Sequence, residues 1–283
     1  VFTSLGLGEA LAHSRADGKL LLVDATAPWC GPCRMMDRTT WRDAAVVEWI
    51  ETHAIAFQLD VDAHGAAAKE LSIRAMPTVI VFRDGDEVDR IVGSRAPDAL
   101  LEWLRALARG VTSLDTKRGE LALQPDNAYL RLDYARMLVG AGRLDEATSE
   151  YVWVWRHERE LAPTYAFELR RLAISHAPAR AAFAELRDEL TPEDAPSLAD
   201  LRDWFLLNDL LGDAQRILRW FDDSYASLAN HDEVSGLVVQ VVGPLLLGAH
   251  RWRDARAVYG KRLWRIPVRE LVRTWKSGRQ RLR

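Results

Sequence analysis

Leu20-Leu21-Leu22-Val23-Asp24, followed at a short distance by Trp29-Cys30-Gly31-Pro32-Cys33, is the stretch that decides the fold of this chain. The four apolar residues in a row suit a strand buried on both faces. Pro28 closes that run, and a helical pattern opens at Pro32 and Cys33 and continues through Met35 and Met36. Cys30 therefore falls at a helix N-terminus, where unpaired N–H groups and the positive end of the helix dipole favour a thiolate. Cys30 and Cys33 are the only 2 cysteines among 283 residues. A crosslink across so short a loop does little to staple a fold. No second Cys pair or His pair stands at zinc-ligand spacing, so no metal site is expected. What remains is reversible thiol–disulfide chemistry, with Cys30 as attacking nucleophile and Cys33, one helical turn on, as resolving thiol. The competing reading is a relic motif on a binding domain.

Asp24 interrupts the apolar run at a place where a carboxylate is costly to bury. Burial would raise its proton affinity and make it a base for the Cys33 proton. The alternative is an exposed aspartate at a strand end. Further along, Ile55 to Leu59 and Thr78 to Phe82 read as strands, and Asp84-Gly85 turns the chain into a strand Glu87 to Val92. Helices are expected over Glu9 to Arg15, from Pro32 to His53 without a break, over Ala66 to Leu71 and from Pro97 to Arg109. His13 and His64 read as ordinary surface residues.

In combination these residues resemble the thioredoxin superfamily. Val23-Asp24, then Trp29-Cys30-Gly31-Pro32-Cys33, then Met76-Pro77-Thr78 reproduce its order and approximate spacing over about residues 1–109. The resemblance implies an α/β thioredoxin fold, a mixed central sheet flanked by helices. It also implies a cis Met76-Pro77 peptide facing the cysteines, with the Met76 backbone pairing to an extended substrate. Trp29, Gly31, Pro32, Met76, Pro77, Val92 and Gly93 would form the substrate groove, Gly93 allowing close backbone approach. With no charge between the sulfurs, the pair is expected near the roughly −270 mV of thioredoxin rather than the roughly −120 mV of a periplasmic oxidant. Three departures stand out, the first being Ala25-Thr26 in place of the family's usual aromatic after the buried aspartate. The stretch Met36 to Trp41 is closer to the branch that serves as periplasmic or lipoprotein reductase domains. Gln58 occupies the place where thioredoxin carries a lysine interacting with the buried aspartate.

A chain of 283 residues exceeds one such domain. After a linker at 110–116, strand patterns give way to helical periodicity over 117–283. Leu144-x-x-Ala147-x-x-x-Tyr151 recurs as Leu211-x-x-Ala214-x-x-x-Leu218 and Trp252-x-x-Ala255-x-x-x-Tyr259, with a weaker copy at Ala179-x-x-Ala182-x-x-x-Leu186. The unit resembles a tetratricopeptide (TPR) repeat, which implies an all-α repeat domain presenting a surface to a protein partner. A generic helical bundle is the alternative. Residues 1–110 carry a net charge of −4, whereas Arg251 to Arg283 holds 12 basic and 2 acidic side chains. Val268, Leu271, Val272 and Trp275 fall on one face of a helix opened by Pro267, so this segment reads as a capping helix with Arg269, Arg273 and Lys276 solvated. It does not read as a DNA-binding arm.

No run approaches the roughly 18 apolar residues of a transmembrane helix. The cysteine usage suits a reducing cytoplasm, and a leader removed ahead of Val1 would place the chain in a periplasm instead. The expected function is a protein-disulfide reductase that needs no cofactor beyond its dithiol, drawing electrons from an external reductase or small thiol. Its helical repeats would recruit a disulfide-containing protein substrate. The alternative resembles the bacterial thioredoxin–TPR co-chaperones, which hold unfolding clients and protect their cysteines.

Overall fold

The parity of β1 (Leu20–Thr26) organises the first half of the molecule. In the computed structural model, which describes residues 1–190, 198–228, 232–260, 266 and 268–282, β1 is a central strand. It pairs in parallel with β2 (Ala54–Asp60) and antiparallel with β3 (Thr78–Arg83). A fourth strand, β4 (Asp86–Val92), closes a mixed sheet of order β2-β1-β3-β4. Alternate residues of a strand face opposite sides. Leu21 and Val23 accordingly pack with Ala10, Phe57 and Leu59 on one side, while Leu20 and Leu22 pack with Met36, Ile50 and Leu104 on the other. Asp24 shares the parity of Leu20 and Leu22, so it faces the second side.

That second side is covered by α2 (Gly31–Arg38), α3 (Ala44–His53) and α5 (Pro97–Ala108), and the first by α1 (Leu7–Asp17) and α4 (Gly65–Glu70). The expected unbroken helix from Pro32 to His53 is interrupted between α2 and α3. Thr39 and Thr40 leave the helical path, and the buried Thr40 hydroxyl donates to the Arg95 carbonyl at 2.6 Å. Asp43 then caps a new helix by accepting from the N–H groups of Ala45 and Val46. The detour buries Trp41 against Phe2. The β3–β4 turn is as expected: Asp84 and Gly85 adopt φ of 54° and 94°, the left-handed pair that a two-residue hairpin loop requires.

The segment expected to be a linker, 110–116, contains the start of α6 (Ser113–Leu123). Thr112 and Asp115 form a reciprocal capping box there. Asp89 of β4 accepts from both the Ser113 N–H and the Trp103 indole, at 2.7 and 2.9 Å. The Ser113 bond attaches α6 to the sheet, and α6 belongs to the first of two compact units, Val1–Gln124 and Pro125–Arg283.

The second unit is helical throughout its described residues. Consecutive pairs are α7 (Ala128–Gly140) with α8 (Leu144–His157), α9 (Ala162–Ser175) with α10 (Ala177–Asp188), α11 (Leu198–Leu211) with α12 (Ala214–Leu228), and α13 (Asp232–Gly248) with α14 (Trp252–Tyr259). Ala147, Ala214 and Ala255 are fully buried on the second helix of their pairs, each followed four residues later by a buried large side chain. In the weak copy the phase differs from the sequence reading. Ala182 is only partly buried, whereas Ala179 and Phe183 are fully buried and supply the same small-then-large pair. The large leading residue of the last copy, Trp252, is exposed rather than packed.

Helix α15 (Val268–Arg281) packs on α13. A Cβ on Gly278 would lie 1.7 Å from the Pro244 carbonyl, so this contact is backbone against backbone. Leu271 and Trp275 face the core, and Arg269, Arg273 and Lys276 are exposed as expected, but Val272 turns outward. Pro267 and the side chain of Val268 lie outside the described residues. No helix among the described residues is long and apolar enough to cross a membrane.

Because Ala179 sits where Ala182 was expected, Ala179→Leu should destabilise the helical unit by about 1–3 kcal/mol through overpacking. Ala182→Leu should cost much less. Urea unfolding of the two variants ranks them, and the reverse order would restore the Ala182 register.

Candidate redox site

Cys30 and Cys33 form a disulfide, with S–S at 1.98 Å and Cα atoms 5.3 Å apart. Cys30 is the N-cap of α2, and its sulfur accepts the Cys33 backbone N–H at 3.2 Å. Pro32 occupies the first helical turn, where its missing N–H costs nothing. Gly31 and Pro32 are exposed, while both cysteines are almost wholly buried. Trp29 is 63% exposed beside them, and its indole N–H donates to Asp62 at 2.8 Å.

Met76 packs against the cysteines together with Ala27 and Val61, and the Met76-Pro77 peptide is cis. The Pro77 carbonyl accepts the Gly93 N–H at 2.8 Å, which brings the end of β4 to the cis peptide. Val92, the neighbour of Gly93, exposes about half its surface. Gly93 lies in the left-handed region that favours glycine. Its φ is 89°, and a Cβ there would meet no protein atom nearer than Arg95 at 3.7 Å. Trp29, Val92 and the partly buried Met76 thus bring apolar surface to the same end of the sheet as the disulfide.

Asp24 is buried, not exposed at a strand end. Its Oδ2 accepts from Gln58 Nε2 at 3.1 Å, from the directly paired position on β2. Oδ1 has no hydrogen-bond partner, nor does the buried Trp41 indole N–H, whose proximity offsets little of the burial. Desolvation pushes the Asp24 pKa up to about 6; the Gln58 hydrogen bond pulls against it, and the negative charge of Asp37 adds to it. Asp37 is held by the same amide, Gln58 Nε2 donating to its Oδ1 at 3.0 Å. Sequence reasoning found Asp24 and gave no role to Asp37 or Trp41. The available signal was that Asp37 follows Cys33 by four residues and so shares its helix face. Among the described residues no group of three or more His, Cys, Asp or Glu side chains is placed to hold a metal ion.

The thioredoxin family model matches residues 9–106. Thioredoxin from Chlamydia trachomatis serovar D is 38% identical over 96 residues, covering 34% of this chain and 89% of that protein. An H-type thioredoxin from Fagopyrum esculentum is 36% identical over 92 residues, 32% of this chain and 76% of the relative. The solution structure of a thioredoxin from Thermus thermophilus aligns with 41% of this chain and 91% of its own, at 24% identity and a TM-score of 0.34. The chain belongs to the thioredoxin family. With its Cys30–Cys33 pair it is a thiol–disulfide oxidoreductase, by class a protein-disulfide reductase.

The raised Asp24 pKa makes a stability prediction. The folded protein holds this proton more tightly than the unfolded chain does, so stability falls as pH rises from about 4 through about 6. Asp24→Asn should remove that slope. It should also stabilise the protein at alkaline pH by up to about 3 kcal/mol, with no gain below the unfolded-state pKa of about 3.9. Denaturant unfolding across pH checks this, and a variant with unchanged slope would place the titration elsewhere.

Proposed function

We propose that Cys30 attacks a disulfide in a protein substrate, Cys33 resolves the product, and Asp24 serves as the base for resolution. The observation that carries this reading is the disulfide at the N-cap of α2, with a buried, proton-avid carboxylate on the sheet behind that helix. The Cys30 thiolate forms a bond to one substrate sulfur and expels the other as a thiolate. Cys33 then gives its proton towards Asp24, and its sulfur bonds to Cys30 while releasing the substrate sulfur held there as a second thiolate. The substrate gains two electrons and the protein is left with the Cys30–Cys33 disulfide. An external reductase or small thiol restores the dithiol, so the pair needs no further cofactor. Trp29, Gly31, Pro32, Met76, Pro77, Val92 and Gly93 form the groove for the extended substrate, the Met76 backbone pairing with it. We assign the helical unit the recruitment of the protein partner, on the ground that its paired helices repeat a small-then-large packing signature resembling tetratricopeptide repeats. The redox domain in this reading ends after α6.

The full chain, supplied with dithiothreitol, should reduce insulin disulfides. Cys30→Ser should abolish turnover, whereas Cys33→Ser should accumulate mixed disulfides on Cys30. Asp24→Asn should slow resolution by roughly 10²-fold and attack much less. Stopped-flow separation of the steps decides it, and a selective loss in attack would reassign Asp24 to Cys30.

A holding function for unfolding clients is the second reading, favoured by Phe167 and Ile174, which stand 72% and 75% exposed on α9. Light scattering from a heated cysteine-free client separates the two. On the reductase reading neither the wild type nor the Cys30→Ser/Cys33→Ser variant suppresses aggregation at equimolar ratio. Equal suppression by both would make client binding the primary activity.

A further inference from the structure

We propose that Asp37 is a positioning residue for the redox site, its carboxylate anchoring the Gln58 amide to Asp24 and setting the electrostatic environment in which Asp24 exchanges its proton. This rests on the reading of Asp24 as the resolving base. The geometry starts from one nitrogen. Gln58 Nε2 donates to Asp24 Oδ2 at 3.1 Å and to Asp37 Oδ1 at 3.0 Å, which uses both of its protons. The two carboxylate oxygens therefore stand within about 6 Å of each other. Both partners are carboxylates, so the amide nitrogen, not its oxygen, must face them. Asp37 itself is partly exposed, on the same face of α2 as Cys33 and one turn beyond it.

The charged and titratable groups facing Asp24 are few. From β2 comes the neutral Gln58, and from the turn after α2 the Trp41 indole. From α2 comes Asp37. No cation stands among the main influences on Asp24, which are burial, Gln58, Asp37 and Trp41. A cation at this place would favour the carboxylate and weaken the base. A second anion held at fixed distance does the opposite, since a like charge within about 4–6 Å disfavours ionisation. The shared amide keeps the Asp24 carboxylate oriented, while the charge of Asp37 adds to what burial does. Gln58 and Asp37 thus have opposed effects on one group, and this opposition is measurable.

The experiment is a ¹³C carboxyl titration of Asp24 in the full oxidised chain, paired with resolution rates measured across pH. Asp37→Asn retains an oxygen that can accept the Gln58 bond and removes the charge, so the Asp24 midpoint should fall by roughly 0.5–1 pH unit. Asp37→Glu should restore it. Gln58→Leu, which removes the donor, should move the midpoint upward. In Asp37→Asn the acidic limb of the resolution profile should move down by the same amount as the midpoint. An Asp24 midpoint unchanged in Asp37→Asn overturns the proposal, whatever Asp24→Asn does to resolution. A shifted midpoint with unaltered resolution supports the electrostatic coupling and removes Asp24 from the base role instead.

Discussion

Asp24 is a carboxylate kept from water inside the sheet domain, and much of the packing around it answers to the cost of burying it there. Asp24 stands at the end of a strand whose preceding residues alternate between two apolar layers. One register step along β1 would turn it to the other face of the sheet, away from α2. Burial alone would leave such a group badly solvated and loosely held. The Gln58 amide on the adjacent strand orients it, and the detour after α2 brings Trp41 in to close the space. The broken helix is therefore part of the site. A continuous helix from residue 32 to 53 would have no room for Thr40 to reach Arg95.

The helical unit solves a different problem with a different device. Each of its pairs places a small side chain where the helices approach and a large one a turn later. At Gly248 and Gly278, α13 and α15 meet backbone to backbone, with no room for a Cβ on either glycine. Pro244 contributes a carbonyl to that contact from within α13.

The parts of this arrangement written in local sequence were readable in advance. Cys30, Cys33 and Asp24 are each improbable where they stand unless they carry chemistry, and the Asp84-Gly85 turn follows from two residues that tolerate positive φ. The positions that escaped depend on long-range partners. Thr40 leaves its helix for a carbonyl 55 residues away. The weak repeat offers alanines at 179 and 182, both compatible with a helix, and only the neighbouring helices choose between them. The attachment of α6 to the sheet rests on Asp89, a side chain on a strand far upstream of the residues it holds. Asp37 looks like any charged residue in a helix until Gln58 is seen to face it.

Asp89 also has a mechanical meaning. It gathers the first N–H of α6 and the Trp103 indole onto one oxygen, so the chain leaves the sheet domain through a clamped helix and not a slack tether. Tension along α6 would bear on the Ser113–Asp89 bond at the edge strand β4, with the Trp103 indole bracing the same carboxylate. The strand carrying Asp89 ends at Val92, beside the glycine that holds the Pro77 carbonyl. A pull on α6 would thus reach the cis Met76-Pro77 peptide through one edge strand of the same compact unit.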